Sequence, residues 1–427
     1  MKIENVKGGY NYLPKEQNIR KYINNVLIDT FEKYGYMPVE TPILTYYDIL
    51  SDKYDENNDI LKEIYKLSDQ GDRKLGLRYD LTVPFAKLIA LNKNIINYPF
   101  KRYEISKVFR DGPIKKGRDR EFTQCDVDVV GIEGQLIEAE LMKLYIDAFN
   151  KLGIEIIIKY NSRKLMSGLI LECGIDNSLV SKTITIIDKM EKVSKEELNE
   201  MLISIGLTNI QSEKLLELFN LSIDELNNKF KSSSNEILNN GLNEINNLNN
   251  YIDKLNIGDY LVFTSTLARG QDYYTGNVFE VYEKNNKLTS SIGGGGRYDN
   301  MITEFINDGN IYPAVGISFG LTSLYELLKD KDIDNLVDIY IIPMGTDIEC
   351  LDIASSLRDL GYKVELDFKN RKIKKSMEYA NKEGIPYIIV IGENEVKSGS
   401  FNLKEMNSGN EYKIDIKEIK KNTDYIK

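Results

Sequence analysis

The sequence predicts an α+β protein with a helical insertion and a separate C-terminal α/β domain, and three changes of texture along the chain carry that reading. Residues 1 to about 160 and 258–328 mix helical and strand patterns, and 162–256 is polar, rich in Asn, Lys and Glu, with helical periodicity throughout. Beyond a charged stretch at 329–335, strand and helix alternate to the end. The expected domains are therefore 1–328, with the insertion 162–256 inside it, and 335–427.

Each element has a local reason. Ile19, Tyr22, Ile23, Val26, Leu27 and Phe31 recur at helical spacing and predict a helix over 17–34. A short β-rich run follows at 36–40. Segment 77–84, Leu-Arg-Tyr-Asp-Leu-Thr-Val-Pro, places Asp80 and Thr82 just ahead of a helix, where either an N-cap or a binding role would suit them. Two strand-patterned halves, 102–109 and 120–130, flank a loop with Pro113 and Gly117, the pattern of a hairpin with a long turn. The stretch 258–328 returns to strands and includes four consecutive glycines, Gly293 to Gly296, which read as a flexible turn or as backbone that lets a ligand approach closely. In the tail, strands at 337–343, 363–366 and 387–391 alternate with helices at 347–360 and 373–382.

Composition removes whole mechanisms. The 427 residues include no His, so His-based triads, imidazole general bases and His-ligated zinc are excluded, and three scattered cysteines cannot close a Cys-only zinc site. Three cysteines without close spacing suit a reducing cytosol better than a disulfide scaffold. The first residues contain no apolar signal region and no apolar run approaches a bilayer span, so a cytoplasmic protein without membrane association is expected. The net charge of −10 argues against a generic polyanion binder but leaves room for local basic faces. No repeat at solenoid periods is found.

Four clusters carry chemistry. In the hairpin, Gln124, Asp126 and Asp128 fall on one face of a period-two strand, and five cations (Arg110, Lys115, Lys116, Arg118, Arg120) lie within eleven residues around Gly and Pro. Guanidinium forks bind phosphate oxygens bidentately, so that density suits phosphate better than scattered surface salt bridges. The second cluster, Arg269-Gly-Gln-Asp-Tyr273-Tyr274-Thr-Gly276, reads as a polar pocket wall or as a capped loop whose tyrosines fill the core. The glycine run ending in Arg297 is the third, and 77–84 is the fourth.

Taken together and in this order, these segments resemble the histidyl-tRNA synthetase family of class II aminoacyl-tRNA synthetases. Residues 108–131 are similar to that family's second class-defining motif, 269–276 to its Arg-Gly-x-Asp-Tyr-Tyr signature, and 293–299 to its Gly-rich strand. Residues 6–14 are similar to its opening, and 35–42 to its dimer-forming motif. The resemblance implies an antiparallel sheet flanked by helices, a C-terminal anticodon-binding domain and no Rossmann or P-loop site. It implies activation of L-histidine by ATP with Mg²⁺, then transfer to the 3′ end of histidine tRNA, by a homodimer.

Residue by residue, the resemblance assigns Asp80, Leu81 and Thr82 to the amino-group side, Gln124 to the carboxylate side, and Asp128, Tyr273 and Tyr274 to the wall around the ring. It assigns Arg110 and Arg269 to opposite sides of the reacting α-phosphorus, and Arg118 and Arg120 to the outer phosphates. Lys115 and Lys116 would approach the acceptor stem, and Lys369, Arg371, Lys372, Lys374 and Lys375 the anticodon end. No protein metal ligand is expected. Ser323 stands where the family's third motif carries an arginine over the ATP tail. A charge-assisted bond of that kind is worth ~1.5–3 kcal/mol, so either a neighbour such as Arg297 supplies it for ATP or ATP use is impaired. Gly112 stands where many members carry a glutamate, with Asp111 as a substitute by shift. These departures keep open a second reading, a histidine-binding paralogue that regulates histidine biosynthesis.

Overall fold

The computed structural model describes residues 2–51, 59–114, 119–190, 192–269, 273–331, 333, 336–369 and 371–416. In chain order the strands are β1 (Met37–Pro38), β2 (Leu44–Tyr46), β3 (Lys66–Ser68), β4 (Lys74–Leu77), β5 (Phe100–Phe109), β6 (Glu121–Val130), β7 (Ile156–Ser162) and β8 (Leu261–Phe263). They continue as β9 (Asn277–Glu283), β10 (Gly293–Arg297), β11 (Ala314–Gly320), β12 (Ile339–Pro343), β13 (Val364–Leu366), β14 (Tyr387–Ile391), β15 (Ser400–Glu405) and β16 (Glu411–Asp415). Contacts divide the chain into two compact units, 1–11 with 20–330, and 12–19 with 331–427.

The larger unit is built on one eight-stranded sheet in the order β1-β5-β6-β11-β10-β9-β7-β8. Its middle is antiparallel from β5 through to β7, and only the outermost pairs, β1 with β5 and β7 with β8, are parallel. Alternation decides its two faces. Cys125 and Val127 of β6 and Phe319 of β11 are fully buried. Phe319 meets Phe31, Tyr145 and Phe149 at ring distances of 5.6, 4.6 and 5.4 Å, which seats the helices Pro14–Lys33 and Leu136–Leu152 on that face. The opposite face carries the core of Phe85, Ile89, Tyr298, Met301 and Ile302 under the helices Thr82–Asn92 and Asp299–Ile306.

The glycine run is strand, not turn: Gly293 to Gly296 pair with β9 on one side and β11 on the other. A side chain at Gly295 would run into the Gly316 carbonyl and the Ile317 backbone, so the close approach that glycine permits serves the sheet itself. The expected strand at 36–40 shrinks to two residues at Pro38, which has no N–H to continue a ladder.

Within 162–256 the chain is helical, from Arg163–Glu172 to Glu236–Leu255. Three of its helices begin with reciprocal capping boxes, Ser194 with Glu197, Thr208 with Gln211 and Ser222 with Glu225. The helices Arg163–Glu172 and Glu236–Leu255 pack backbone to backbone: a side chain at Gly168 would sit 2.6 Å from the Leu238 nitrogen. The second unit is a five-stranded sheet, order β13-β12-β14-β15-β16, parallel in its first three strands and antiparallel in the rest. Ile339, Ile341, Ile353, Leu357, Ile389 and Leu403 form its core with the helix Asp347–Asp359. Among the described residues no helix is long and apolar enough to cross a membrane.

Candidate functional site

The even-numbered residues of β6 face away from the long helices, and β11 supplies the facing backbone: Gln124 lies opposite Gly320, Asp126 opposite Ser318 and Asp128 opposite Gly316. A cavity of about 70 Å³ opens above them. Asp80, Thr82, Arg110, Gln124, Asp128, Arg269, Tyr273 and Tyr274 all line it, so residues scattered over almost two hundred positions meet in one place. Asp126, Tyr298, Ile317, Ser318 and the backbones of Gly294, Gly295 and Gly316 complete the wall.

One side of the cavity is short of donors. Asp80 accepts the Val83 N–H through Oδ1 at 3.1 Å, so the residue does serve the helix start, yet Oδ2 is buried without a hydrogen-bond partner. Gln124 donates to Ser318 Oγ at 3.3 Å and leaves its Oε1 equally bare, as is Asp126 Oδ1. Asp128 Oδ2 also accepts no hydrogen bond, though Arg102 pairs with it at 2.6 Å. Leaving such an acceptor unpaired costs about 1–3 kcal/mol, so four of them around one cavity mark a place for N–H donors. Burial, aided by the neighbouring Asp128 carboxylate, pushes Asp126 up to about 8, against the pull of Arg102. Burial also raises Asp128, opposed by Arg102 and the Tyr298 hydroxyl, and raises Asp80. Tyr298 donates to Asp128 Oδ1 at 2.5 Å.

The other side is cationic. The Arg110 guanidinium lies between the Tyr79 and Phe122 rings, 4.2 and 4.9 Å from their centroids, with Nε 3.4 Å from the Tyr79 carbonyl. The two rings hold the guanidinium at the cavity wall, where its fork suits a phosphate. Arg269 donates to Glu280 Oε1 at 2.9 Å and rests on Gly294, where any side chain would collide with the guanidinium. Tyr274 lies over Gly296 in the same way, 2.8 Å from where a side chain would begin. The third glycine-bearing segment therefore makes a flat floor on which the second cluster lies. Burial works against the charge of Arg269, but Tyr274, Glu280, Tyr273 and Tyr145 around it outweigh that and hold it up.

Several expected site residues lie elsewhere. Arg297 is corrected outright: it is 3% exposed, forked onto both Glu138 oxygens at 2.7 and 2.9 Å, and bonded to the Ile132 and Gly134 carbonyls and Asp299. Its donors are spent on fixing the helix Leu136–Leu152 to β10, so it cannot stand in for an arginine at Ser323. Leu81 is fully buried and does not line the cavity; only its carbonyl takes part, through Arg102. Arg120 is likewise not in the wall but pairs with Asp111 at 3.3 Å, which occupies the carboxylate expected to replace a residue at 112. The Glu63 carboxylate instead stands 2.8 Å from where a side chain on Gly112 would begin. Lys115, Lys116 and Arg118, with Gly270 and Asp272 of the signature, lie outside the described residues. In the second unit Lys369, Lys372, Lys374 and Lys375 are exposed at the start of the helix Ile373–Glu383, and Arg371 lies over the Tyr379 ring at 4.6 Å.

Sequence reasoning placed Asp126 on the right strand face but assigned it no contact, gave no role to Tyr298 or Ser318, and passed over Arg102. Arg102 had a usable signal, since in the expected hairpin it falls directly opposite Asp128.

A mostly antiparallel sheet with helices behind it and a pocket of carboxylates facing two arginines defines the catalytic domain of a class II aminoacyl-tRNA synthetase. A family model described as histidyl-tRNA synthetase matches residues 8–324, and one described as anticodon binding domain matches 338–423. A Bacillus cereus protein named histidine–tRNA ligase 1 is 45% identical over 99% of this chain and 98% of its own length. The crystal structure of histidyl-tRNA synthetase from Nostoc sp. PCC 7120 superposes with a TM-score of 0.86 at 28% identity, covering 98% of this chain and 99% of that one. A Bacillus halodurans structure titled as an ATP phosphoribosyltransferase regulatory subunit/histidyl-tRNA synthetase shares the fold, with a TM-score of 0.77 at 23% identity over 91% of this chain and 98% of that one. The chain belongs to the histidyl-tRNA synthetase family.

Proposed function

We propose that this chain is a histidine–tRNA ligase: it activates L-histidine with ATP to histidyl-adenylate and pyrophosphate, then transfers the histidyl group to the 3′ end of histidine tRNA, releasing AMP. The single observation that carries the reading is the cavity in which bare acceptors of Asp80, Gln124 and Asp126 face Arg110 and Arg269. Histidine brings N–H donors at both ends, on its amino group and its ring, and a smaller or apolar side chain would leave buried acceptors unpaired. Asp80 and Thr82 take the amino group, Gln124 the carboxylate side through its second amide N–H, and Asp128 with Tyr273 and Tyr274 the imidazole.

The substrate carboxylate attacks the α-phosphorus in line and pyrophosphate leaves from the far side. No protein nucleophile is required. Catalysis is positioning and charge stabilisation, by Arg110 on one side of the phosphorus and Arg269 on the other. Arg118 and Arg120 serve the outer phosphates, Arg120 after exchanging Asp111 for phosphate. Mg²⁺ would come with the nucleotide rather than from protein ligands and would supply positive charge at its phosphates. Among the described residues no group of three acidic or thiol side chains is gathered as a metal site.

The residues 335–427 act as the anticodon-binding domain, with Lys369, Arg371, Lys372, Lys374 and Lys375 approaching the anticodon, and Lys115 and Lys116 the acceptor stem. A homodimer is supported by apolar side chains exposed around β1 and β2, with Met37, Leu44 and Tyr46 all about half accessible. A cytoplasmic location suits three free, buried cysteines. The regulatory reading is not favoured: likeness to the Bacillus halodurans structure speaks to the fold alone, whereas 45% identity over the full length joins this chain to a ligase. The deciding experiment is amino-acid-dependent exchange of pyrophosphate into ATP, run with all twenty amino acids. Exchange with histidine alone is expected, and none with histidine would hand the assignment to the regulator.

A further inference from the structure

Behind the pocket wall, Arg102 is completely shielded from solvent, yet it is the counter-ion of a residue that faces the ligand. On the β5–β6 hairpin it stands directly opposite Asp128, and its Nη2 reaches Asp128 Oδ2 at 2.6 Å. The same nitrogen donates to the Leu81 carbonyl at 3.2 Å. Its Nη1 is 3.5 Å from Glu104, which is itself paired with Arg78 at 3.0 Å, and the Phe85 ring closes over the guanidinium at 4.3 Å. Arg102 does not line the cavity and cannot touch a ligand there.

We propose that Arg102 is the positioning residue of amino-acid recognition: one guanidinium nitrogen, paired with Asp128 and bonded to the Leu81 carbonyl, sets the distance between the wall that takes the amino group and the wall that takes the ring. The inference rests on the pocket assignment made above. Two walls from distant parts of the sequence, 80–82 and 124–128, must be spaced to the length of one amino acid, and no other described contact ties Leu81 to Asp128 through a single group. A buried ion pair is weak ground for stability, since an apolar pair across the same two strands would hold the sheet as well. Its retention at this place fits the second duty. Tyr298 donates to Asp128 Oδ1 and the Arg102 guanidinium stands 2.6 Å from Oδ2 as an ion pair, so the carboxylate is held from both sides, while Oδ2, which accepts no aligned hydrogen bond, remains for a ring N–H.

The test is histidine-dependent pyrophosphate exchange by the full chain, with KM for histidine and for ATP measured from about pH 6.5 to 9, a span around the Asp126 carboxyl, which is pushed up to about 8. Arg102→Met is expected to raise KM for histidine about 100-fold, the scale of one charge-assisted bond, with KM for ATP within about twofold. Asp128 then faces the carboxylates of Asp80, Glu104 and Asp126 and the hydroxyl of Tyr298 without its paired cation, leaving only Arg110 and Arg269 across the cavity, so KM for histidine in the variant falls with rising pH more steeply than in the parent. Arg102→Lys keeps the charge but not the double contact; it should raise KM for histidine about tenfold and restore the parental pH profile. Parallel rises in both KM values, an unchanged KM for histidine, or a Met variant with the parental pH profile would overturn the proposal. If the Met variant does not fold, the Lys variant decides alone, a selective rise supporting the proposal and an unchanged KM refuting it. A parent without exchange activity refutes the activity instead, and calorimetric histidine binding then reads the same comparison.

Discussion

The pocket of the large unit and the basic run of the second unit both hold charge, but they hold it in opposite ways. Around the pocket, Arg102, Asp80, Asp126 and Asp128 are each at most 4% exposed and locked by partners on several elements. At 369–375 the lysines project into water from a loop and a helix start. The difference teaches what each partner demands. A small zwitterion must be distinguished from all the other amino acids, which takes desolvated groups fixed before it arrives. A polyanion is gripped through released counterions, which needs cations in the right region but no fixed geometry.

The comparison breaks first at the pocket. Replacing Arg269 by Ala should lower kcat for adenylate formation by about 10²–10³-fold, the cost of one preorganised donor at a developing charge, with KM for histidine nearly constant. Equal losses in both would make Arg269 a ground-state binder. At the second unit, Lys374→Glu with Lys375→Glu should raise KM for tRNA about tenfold at low salt and flatten its salt dependence. An unchanged salt slope would return that run to ordinary solvated surface. Smaller still, Ser323→Arg on the half-buried start of the helix Leu321–Leu328 should lower KM for ATP by about threefold to tenfold. No gain would mean that the nucleotide does not pass that helix.

A separate effect, on stability and not on turnover, concerns proton balance. Asp126 holds its proton up to about pH 8 in the fold, above its ordinary value of 3.8, so the folded state binds more protons than the unfolded one between those limits. Stability therefore falls as pH rises through that window. Asp126→Asn should flatten the dependence of Tm on pH between about 5 and 8, and a variant that follows the parent would show that the carboxyl is already ionised in the empty pocket.

Much of the pocket was legible because strand alternation is local: Gln124, Asp126 and Asp128 share a face wherever the hairpin sits. The helical character of the insertion was legible for the same reason. Arg297 misled because an arginine after a glycine run looks open, and nothing local announces that Glu138, from a helix 159 positions back along the chain, will take its fork. The glycine run was ambiguous because glycine satisfies a turn and a crowded strand equally well, and the crowding comes from Gly316 and Ile317 on another strand.

The amino-acid sequence alone determined which chemistry is available: no imidazole, carboxylates and an amide on one strand face, arginines in glycine-bearing segments, and a helical stretch that interrupts the sheet. Tertiary structure decided which arginines remain open to phosphate and which are consumed as buried counter-ions. The reason is that side-chain type and strand period are properties of neighbours in the chain, whereas the cost of burying a charge depends on partners that only the closed sheet brings within hydrogen-bonding distance.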